Sequence, residues 1–212
     1  KRLQYFVDFS IRESDPVDYV IIIQGAYCTA TIPSYKNLRV IRRTNTCFDF
    51  GSYGDVIEIL GGIEIIDKKY KAVMFLNPST SGPILPKYWP SSIHWTEIFT
   101  SRLKGNVHSV GASITCLGDG RGNGPGIEGY ASFSTPLAIS IAQKNGVFKC
   151  RNNKSEVIIF GEYGLATSLL KAGKNINCLL LKYGDLDWRS TKTWSCNNFY
   201  HPTVNGSYEG IS

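Results

Sequence analysis

Apolar runs separated by short polar stretches predict a chain in which strands and helices alternate. Residues 18–27 are almost continuously apolar and rich in β-branched side chains, which is typical of a strand buried on both faces. Shorter apolar runs predict further strands at residues 38–43, 70–77, 107–117, the start of 131–146, and 175–183.

Four other segments have the helical spacing of apolar residues, at 55–66, 95–103, 136–146 and 162–173. Pro136 and Gly146 bound the third of these, because proline favours the first turn of a helix and glycine its end. Strands that alternate with helices are typical of an α/β fold. We therefore predict a single domain whose central, mostly parallel mixed sheet is flanked by helices.

A glycine-rich segment and a polar tail interrupt this pattern. Residues 118–126 contain a G-x-G-x-x-G match after a strand, but no helix follows at once, as a dinucleotide site requires. The segment is either a flexible connection or a mobile lid over a bound sugar donor. Residues 185–212 are rich in Asn, Gly, Ser and Trp, and we expect irregular structure there.

Size and charge restrict the possible partners. The chain has 212 residues, which suits one domain, and a net charge of +6. A basic protein can bind an anionic ligand, a nucleic acid or a membrane surface. However, no basic run is longer than two residues, which does not favour nucleic acid, and no apolar run is long enough for a membrane span.

The six cysteines contain no C-x-x-C pair and are too sparse for a disulfide scaffold. Most of them lie in apolar runs, which predicts reduced, buried thiols and a cytoplasmic location. Asn153 and Asn205 begin glycosylation acceptor patterns, which often occur by chance. Because the chain begins with Lys1, we expect a segment of a longer polypeptide with neighbouring domains.

Polar clusters follow the predicted strands at several strand ends: Gln24-Gly25, residues 42–54, residues 77–83 and Gly161-Glu162. Ligands of open α/β sheets bind at the carboxyl ends of the strands. We therefore predict one binding site that these clusters share.

The first large cluster suits an anionic ligand. Arg42 and Arg43 end a strand and offer forked donors for phosphate oxygens. The alternative is a solvated strand end. Asn45, Asp49 and Gly51 come next and precede a helix, whose N-terminus also attracts anions. The alternative for Asp49 is an N-cap.

The second cluster lacks the carboxylates that a divalent cation prefers, because its strand ends in Asn77-Pro78-Ser79. We therefore expect Mg²⁺ or Mn²⁺ not to be required, and cationic side chains to stabilise a leaving diphosphate. The candidates for that task are Arg42, Arg43, Arg102 and His94. An alternative metal site is the only Asp-x-Asp, formed by Asp185 and Asp187.

Glu162 precedes the last predicted helix and could accept the proton of a sugar hydroxyl. The alternative is a first-turn glutamate that stabilises the helix dipole. Aromatic residues of the tail either stack on sugar rings or form a small core of their own: Trp188, Trp194, Tyr200 and Tyr208.

The order of these motifs resembles a family of glycosyltransferases found in plants, algae and large algal viruses. The motifs are RRTNTCFDFGSYG, YKAVMFLNPSTSGPILP, HWTEIFTSRLKGNVHSVGASITC, FGEYGLATSLLKAGKNINCLL and the closing CNNFYHPTVNGSYEGIS. The chain is more distantly similar to rhamnan synthesis F-like proteins. The resemblance covers residues 18–212 and implies a GT-A-like fold, with a donor half at about 18–115 and an acceptor half at about 127–212.

The resemblance implies a role for each matching residue. Arg43, Asn45, Asp49 and Gly51 would line the nucleotide-sugar pocket, with Gln24, Gly25 and Arg42 beside them. Asn77, Ser79 and Gly82 would lie at the diphosphate and sugar. Glu162 would be the catalytic base, with Asp49 as a second catalytic carboxylate, and the acceptor would contact Trp188, His94 and Tyr130.

Two departures from the family pattern affect these roles. Pro78 replaces an Asp, which weakens the case for a metal, and Tyr163 stands where many such enzymes have the Asp of Gly-Glu-Asp. The likeness to glycan-building domains of chlorella-virus proteins implies UDP-L-rhamnose as donor and the host cytoplasm as location. The sequence thus predicts an inverting, metal-independent rhamnosyltransferase, and the alternative is a non-catalytic glycan-binding module of a larger enzyme.

Overall fold

The computed structural model describes residues 1–116 and 124–196. Their strands are β1 (Tyr19–Gln24), β2 (Leu38–Arg43), β3 (Val73–Leu76), β4 (Val107–Gly111), β5 (Ile114–Cys116), β6 (Pro125–Ile127), β7 (Ala131–Ser134) and β8 (Asn175–Cys178). The helices are α1 (Arg2–Ser10), α2 (Phe48–Ile59), α3 (Gly62–Lys69), α4 (Glu97–Thr100), α5 (Pro136–Lys144), α6 (Lys154–Glu156) and α7 (Tyr163–Lys171). A π-helical segment (Val157–Glu162) joins α6 to α7, and 3₁₀ turns lie at Leu181–Tyr183 and Thr191–Thr193.

The strands form small mixed sheets. β1 and β2 pair in parallel, and β5 pairs with β6 antiparallel. The four-stranded sheet has the order β3-β7-β4-β8, in which only β4 and β8 are parallel. The predicted α/β class is confirmed, whereas the described strands do not show one central, mostly parallel sheet.

Several predicted boundaries need correction. The helix expected at residues 55–66 is two helices, because Gly61, at the N-cap of α3, and Gly62, its first residue, take positive φ angles of 101° and 79°. The apolar run at 107–117 is also two elements, β4 and β5, which lie in different sheets. The helix expected at 95–103 is only four residues long.

Other predictions are confirmed in detail. β2 has the predicted bounds, and α5 begins at Pro136. Thr135 caps α5, since its side chain accepts a hydrogen bond from the backbone N–H of Ala138 at 3.3 Å.

The largest core lies where α2, α5 and α7 pack on the sheets. It contains Phe50 and Tyr53 of α2, Phe75 of β3 and Leu165 of α7. Trp188 belongs to this core as well, because it is 0 % exposed and packs edge-on against Tyr183 at 5.4 Å. Trp188 is therefore a core residue, and the prediction that it stacks on an acceptor sugar is not supported.

Four of the six cysteines form two disulfides, Cys47–Cys150 and Cys116–Cys196. Cys28 and Cys178 are free. The prediction of reduced thiols is therefore wrong for four cysteines, because the partners are 103 and 80 residues apart and only the fold brings them together. Disulfides persist in oxidising compartments, so they speak against a cytoplasmic location, which stays a prediction.

Three sequence predictions reach beyond the described ranges. Residues 118–123 of the predicted connection or lid lie outside the described ranges. Its last three residues are described, and two of them, Pro125 and Gly126, belong to β6. The tail beyond Cys196, with Tyr200, Tyr208 and the second glycosylation pattern, also lies outside. Within the described ranges, no helix combines the length and apolar character needed to cross a bilayer.

Candidate functional site

Three polar side chains that are far apart in the sequence lie on neighbouring segments of the fold, and two of them are in direct contact. Asp49 lies in the first turn of α2, Asn77 directly follows β3, and Glu162 ends the π-helical segment. The Nδ2 of Asn77 donates to Oδ2 of Asp49 at 2.6 Å, and the charge of Asp49 helps to raise the pKa of Glu162. We refer to Asp49, Asn77 and Glu162 as the central site.

The backbone before α2 brings Asp49 to this position. Cys47 and Phe48 both have positive φ angles, 67° and 52°, which are uncommon for residues other than glycine. Cys47 occupies the N-cap position of α2, so the N-cap interpretation of Asp49 is wrong. The disulfide to Cys150 holds this irregular turn in place.

Gly51 lets α2 approach that disulfide closely. A Cβ at this position would lie 2.5 Å from Cβ of Cys47 and 3.2 Å from Cα of Cys150. The glycine is therefore required for packing, and its predicted contact with a nucleotide sugar remains a prediction.

Both polar atoms of the Asn77 side-chain amide form hydrogen bonds. Its Oδ1 accepts the backbone N–H of Ser79 at 2.8 Å, which leaves Nδ2 to donate to Asp49. The backbone N–H of Asn77 donates to the carbonyl of Tyr130 at 2.9 Å. The amide thus presents one orientation, and Asp49 accepts from it as a carboxylate.

Glu162 is held by a backbone contact that only glycine permits. The N–H of Gly129 donates to Oε1 of Glu162 at 2.5 Å, and a Cβ on Gly129 would lie 2.6 Å from that same oxygen. Burial raises the pKa of Glu162, the Gly129 bond opposes this, and Asp49 adds to the increase. A carboxyl with a raised pKa at a π-helical turn is a candidate for proton transfer.

Sequence reasoning missed a buried carboxyl near Glu162. Glu128 is 7 % exposed, and burial together with the charge of Glu162 raises its pKa to about 7. It lies between β6 and Gly129, in the stretch GIEGY, which matches no catalytic motif. The only signal in the sequence is a glutamate between two glycines next to an apolar run.

Two tyrosines complete the surroundings of the central site. Tyr53 is buried, and its pKa is raised by burial and then by the charges of Asp49 and Glu162. Tyr130, predicted to bind the acceptor, has its hydroxyl 3.2 Å from the hydroxyl of Ser113. Its backbone contact with Asn77 keeps Tyr130 at the central site.

Arg43 connects the predicted donor-binding residues to one another. Its Nη1 donates to Gln24 Oε1 at 3.2 Å, to the Thr46 carbonyl at 2.8 Å and to Ser52 Oγ at 2.6 Å. Its Nη2 forms an ion pair with Asp55. These contacts join β1, β2 and α2, so Arg43 has a structural role at this edge of the fold.

The remaining donor-side predictions lie on the surface nearby. The N–H of Gly25 donates to the carbonyl of Arg43 at 2.9 Å, while Arg42 and Asn45 are exposed. Ser79 is exposed, and Gly82 precedes a cis peptide bond to Pro83. Among the cationic residues predicted to stabilise a diphosphate, Arg42 therefore has a side chain exposed to solvent.

His94 and Arg102 make contacts elsewhere. His94 lies 3.3 Å from the Tyr19 hydroxyl, 3.8 Å from Asp15 and 2.8 Å from the Thr96 hydroxyl, so its partners are near α1 and α4. Arg102 donates to the carbonyl of Cys178 at 2.9 Å. In the described part of the chain, neither residue contacts the central site, so their predicted roles receive no support.

The alternative metal site at Asp185 and Asp187 also receives no support. Both carboxylate oxygens of Asp187 accept from Arg189, at 2.8 and 2.7 Å. Within residues 1–116 and 124–196, no three His, Cys, Asp or Glu side chains are placed to hold a metal ion. Independence from metal is still a prediction.

Comparison with known proteins adds no relative. The chain matches no protein-family model, no curated protein and no solved structure. The resemblance drawn from the motifs therefore stays a prediction, and a function has to be inferred from the central site itself.

Proposed function

We propose that this chain is a glycosyltransferase domain that transfers L-rhamnose from UDP-L-rhamnose to a glycan hydroxyl with inversion. One observation supports the proposal: Asp49 and Asn77, from two of the predicted motifs, are hydrogen-bonded, and the third motif packs beside them, where a Cβ on Gly161 would lie 2.9 Å from Cγ of Phe50. Asn77, 28 positions along the chain, contacts Asp49 directly, and the charge of Asp49 adds to the effect of burial in raising the pKa of Glu162.

The position of the site also suits a nucleotide-sugar ligand. Gln24 ends β1 and Arg43 ends β2, which pair in parallel, and Asn77 follows β3 of a second sheet, so these predicted donor residues lie at the carboxyl ends of strands from two sheets. This is where α/β folds bind ligands, and a GT-A-like arrangement forms part of the proposal. The N-terminus of α2 and the exposed Arg42 supply positive charge for a diphosphate.

Glu162 is the general base in this mechanism. Its carboxylate accepts the proton of the acceptor hydroxyl while that oxygen forms a bond to the anomeric carbon of the donor. The bond from that carbon to the diphosphate breaks at the same time, and UDP leaves with the electron pair. The Asn77 amide and the Asp49 carboxylate hold hydroxyl groups of the transferred sugar.

The test is release of UDP from a panel of UDP-sugars with a rhamnose or xylose acceptor, with and without EDTA. We expect turnover of UDP-L-rhamnose that survives EDTA. Glu162→Gln should lower kcat by about 10²–10⁴-fold, the usual contribution of a general base. Glu156→Gln is the matched control, because Glu156 is exposed and lies six residues earlier on the same helical stretch.

Three results would contradict parts of this proposal. Full activity of Glu162→Gln with normal donor binding would remove Glu162 as the base. Activity lost in EDTA would keep the transferase and overturn its independence from metal. Glycan binding without any affinity for UDP or UDP-sugars in calorimetry would instead identify a non-catalytic glycan-binding module.

A further inference from the structure

Asn153 stands at the N-cap of α6 and begins the sequence Asn153-Lys154-Ser155. This is the acceptor pattern for N-linked glycans, in which the middle residue is not proline. We propose that Asn153 is an N-glycosylation site, which carries an oligosaccharide on Nδ2. The proposal is independent of the transferase activity proposed above.

The hydrogen bonds of Asn153 favour this use of its side chain. Oδ1 accepts the backbone N–H groups of Ser155 at 2.8 Å and Glu156 at 3.4 Å. These bonds turn Oδ1 toward the helix, so that Nδ2 is the amide atom directed away from it. The bonds of Oδ1 persist when Nδ2 carries a glycan, because the N-cap needs only the oxygen.

The surface around Asn153 has room for a glycan. The five consecutive residues 152–156 are all exposed, and buried residues begin again only at Val157. A bulky, hydrated substituent at this position therefore displaces no core side chain. The native fold can form with the glycan in place.

The disulfides provide independent support. Cys150 lies three residues before Asn153 and pairs with Cys47, and Cys116 pairs with Cys196. Disulfides form in oxidising compartments such as the lumen of the endoplasmic reticulum. Protein N-glycosylation takes place in that lumen, so a chain that acquires these two bonds there is also exposed to the transferring enzyme.

The modification requires a lipid-linked oligosaccharide diphosphate and the host enzyme that uses it. Nδ2 of Asn153 attacks the first carbon of the oligosaccharide, and the bond from that carbon to the diphosphate oxygen breaks. The lipid diphosphate leaves with the electron pair, and Nδ2 loses one proton to a base of the host enzyme.

The experiment expresses residues 1–212 behind a cleavable secretion signal in eukaryotic cells, in an Asn205→Gln background that removes the second acceptor pattern. Peptides are analysed by mass spectrometry before and after treatment with peptide N-glycosidase. We expect a glycan on the peptide that contains Asn153, and its complete loss in Asn153→Asp and Ser155→Ala. Both variants keep an oxygen acceptor at residue 153, so the helix cap is retained.

Asn152→Asp is the matched control, because Asn152 is an exposed neighbour that begins no acceptor pattern. It should leave the glycan unchanged. An unmodified Asn153 peptide in secreted chain whose disulfides have formed would overturn the proposal. A glycan that persists in Ser155→Ala would also overturn it, since the acceptor pattern would then not be the determinant.

Discussion

The Nδ2 of Asn77 donates a 2.6 Å hydrogen bond to Oδ2 of Asp49, which joins the residue after β3 to the first turn of α2. Nδ2, not Oδ1, of Asn77 faces Asp49, because Oδ1 accepts the backbone N–H of Ser79. This hydrogen bond therefore links two segments that lie 28 positions apart in the sequence.

Replacing Asn77 by Asp should destabilise the protein in a pH-dependent way. The new carboxyl would face Asp49 without a donor, and two neighbouring carboxylates raise the pKa of one of them. A raised pKa means that the folded state is favoured at low pH and loses stability as pH increases. We expect a loss of about 1–3 kcal/mol at pH 8 that is smaller at pH 5, measured by urea denaturation.

Asn77→Ala serves as the control for charge, because it removes the hydrogen bond and adds no carboxyl. Its loss of stability should vary less between pH 5 and pH 8 than the loss in Asn77→Asp. Equal pH dependence of the two variants would show that Asp49 is not the partner of residue 77.

The buried Glu128 carboxyl should lower the free energy of unfolding as the pH increases from acidic to neutral. Its pKa is raised from 4.5 to about 7, so the folded state holds a proton that the unfolded chain releases earlier. The penalty is absent below about pH 4.5 and complete above pH 7, where it amounts to about 3 kcal/mol. Glu128→Gln should therefore gain stability relative to the parent chain as the pH rises from 5 to 8.

The measurement for Glu128 is the free energy of unfolding in urea across that pH range. Glu156→Gln, at an exposed position, should follow the parent chain at every pH. A Glu128→Gln curve parallel to that of the parent chain would contradict the prediction.

Gly129→Ala should displace Glu162. The added Cβ would lie 2.6 Å from Oε1 and 3.0 Å from Cδ of Glu162, so the carboxyl must move. A shift of about 1 Å in a positioning contact can reduce activity on the order of 100-fold, and we expect such a decrease in kcat. Gly164→Ala is the control, because its nearest contact is an ordinary 3.5 Å to Val147.

For the Gly129 variant, UDP release and circular dichroism should be measured together. A folded variant with unchanged kcat would mean that the position of Glu162 does not affect the reaction. A decrease in Gly164→Ala of the same size would point to a general effect on the helix instead.

The disulfides should leave two free thiols. Titration of the unfolded, unreduced chain should find Cys28 and Cys178 only, and six thiols after reduction. Removing Cys47–Cys150 by a double serine substitution should lower stability by about 4–5 kcal/mol, because that bond closes a long loop. It should also lower activity, since Asp49 lies two residues from Cys47.

The other disulfide provides the comparison. Removing Cys116–Cys196 should lower stability by a similar amount, because its sequence separation of 80 residues gives nearly the same loop entropy. Six thiols before reduction would contradict both bonds.

The local sequence pattern predicted the bounds of some helices and strands correctly and those of others incorrectly, for physical reasons. The bounds of β2 and the start of α5 follow from a short apolar run and from Pro136, which are signals within a few residues. The start of α2 could not be predicted from the local sequence. Cys47 and Phe48 have positive φ angles there, and Cys47 is bonded to Cys150, which lies 103 residues away. The strands β4 and β5 share one apolar run, and only pairing with different partners separates them.

The sequence by itself determined the α/β class, the residue types available for chemistry, and the ends of β2 and β3, after which Asp49 and Asn77 were expected. These follow from periodicity and from side-chain chemistry, which are properties of short segments. The expectation that Glu162 follows a strand was wrong, because Glu162 ends a π-helical segment. Only the tertiary structure decided that Trp188 is core, that Arg43 joins β1, β2 and α2, that Glu128 is buried near Glu162, and that two disulfides form, one of them at the start of α2. Burial, pKa shifts and disulfide pairing depend on which distant segments pack together, and no local pattern records that.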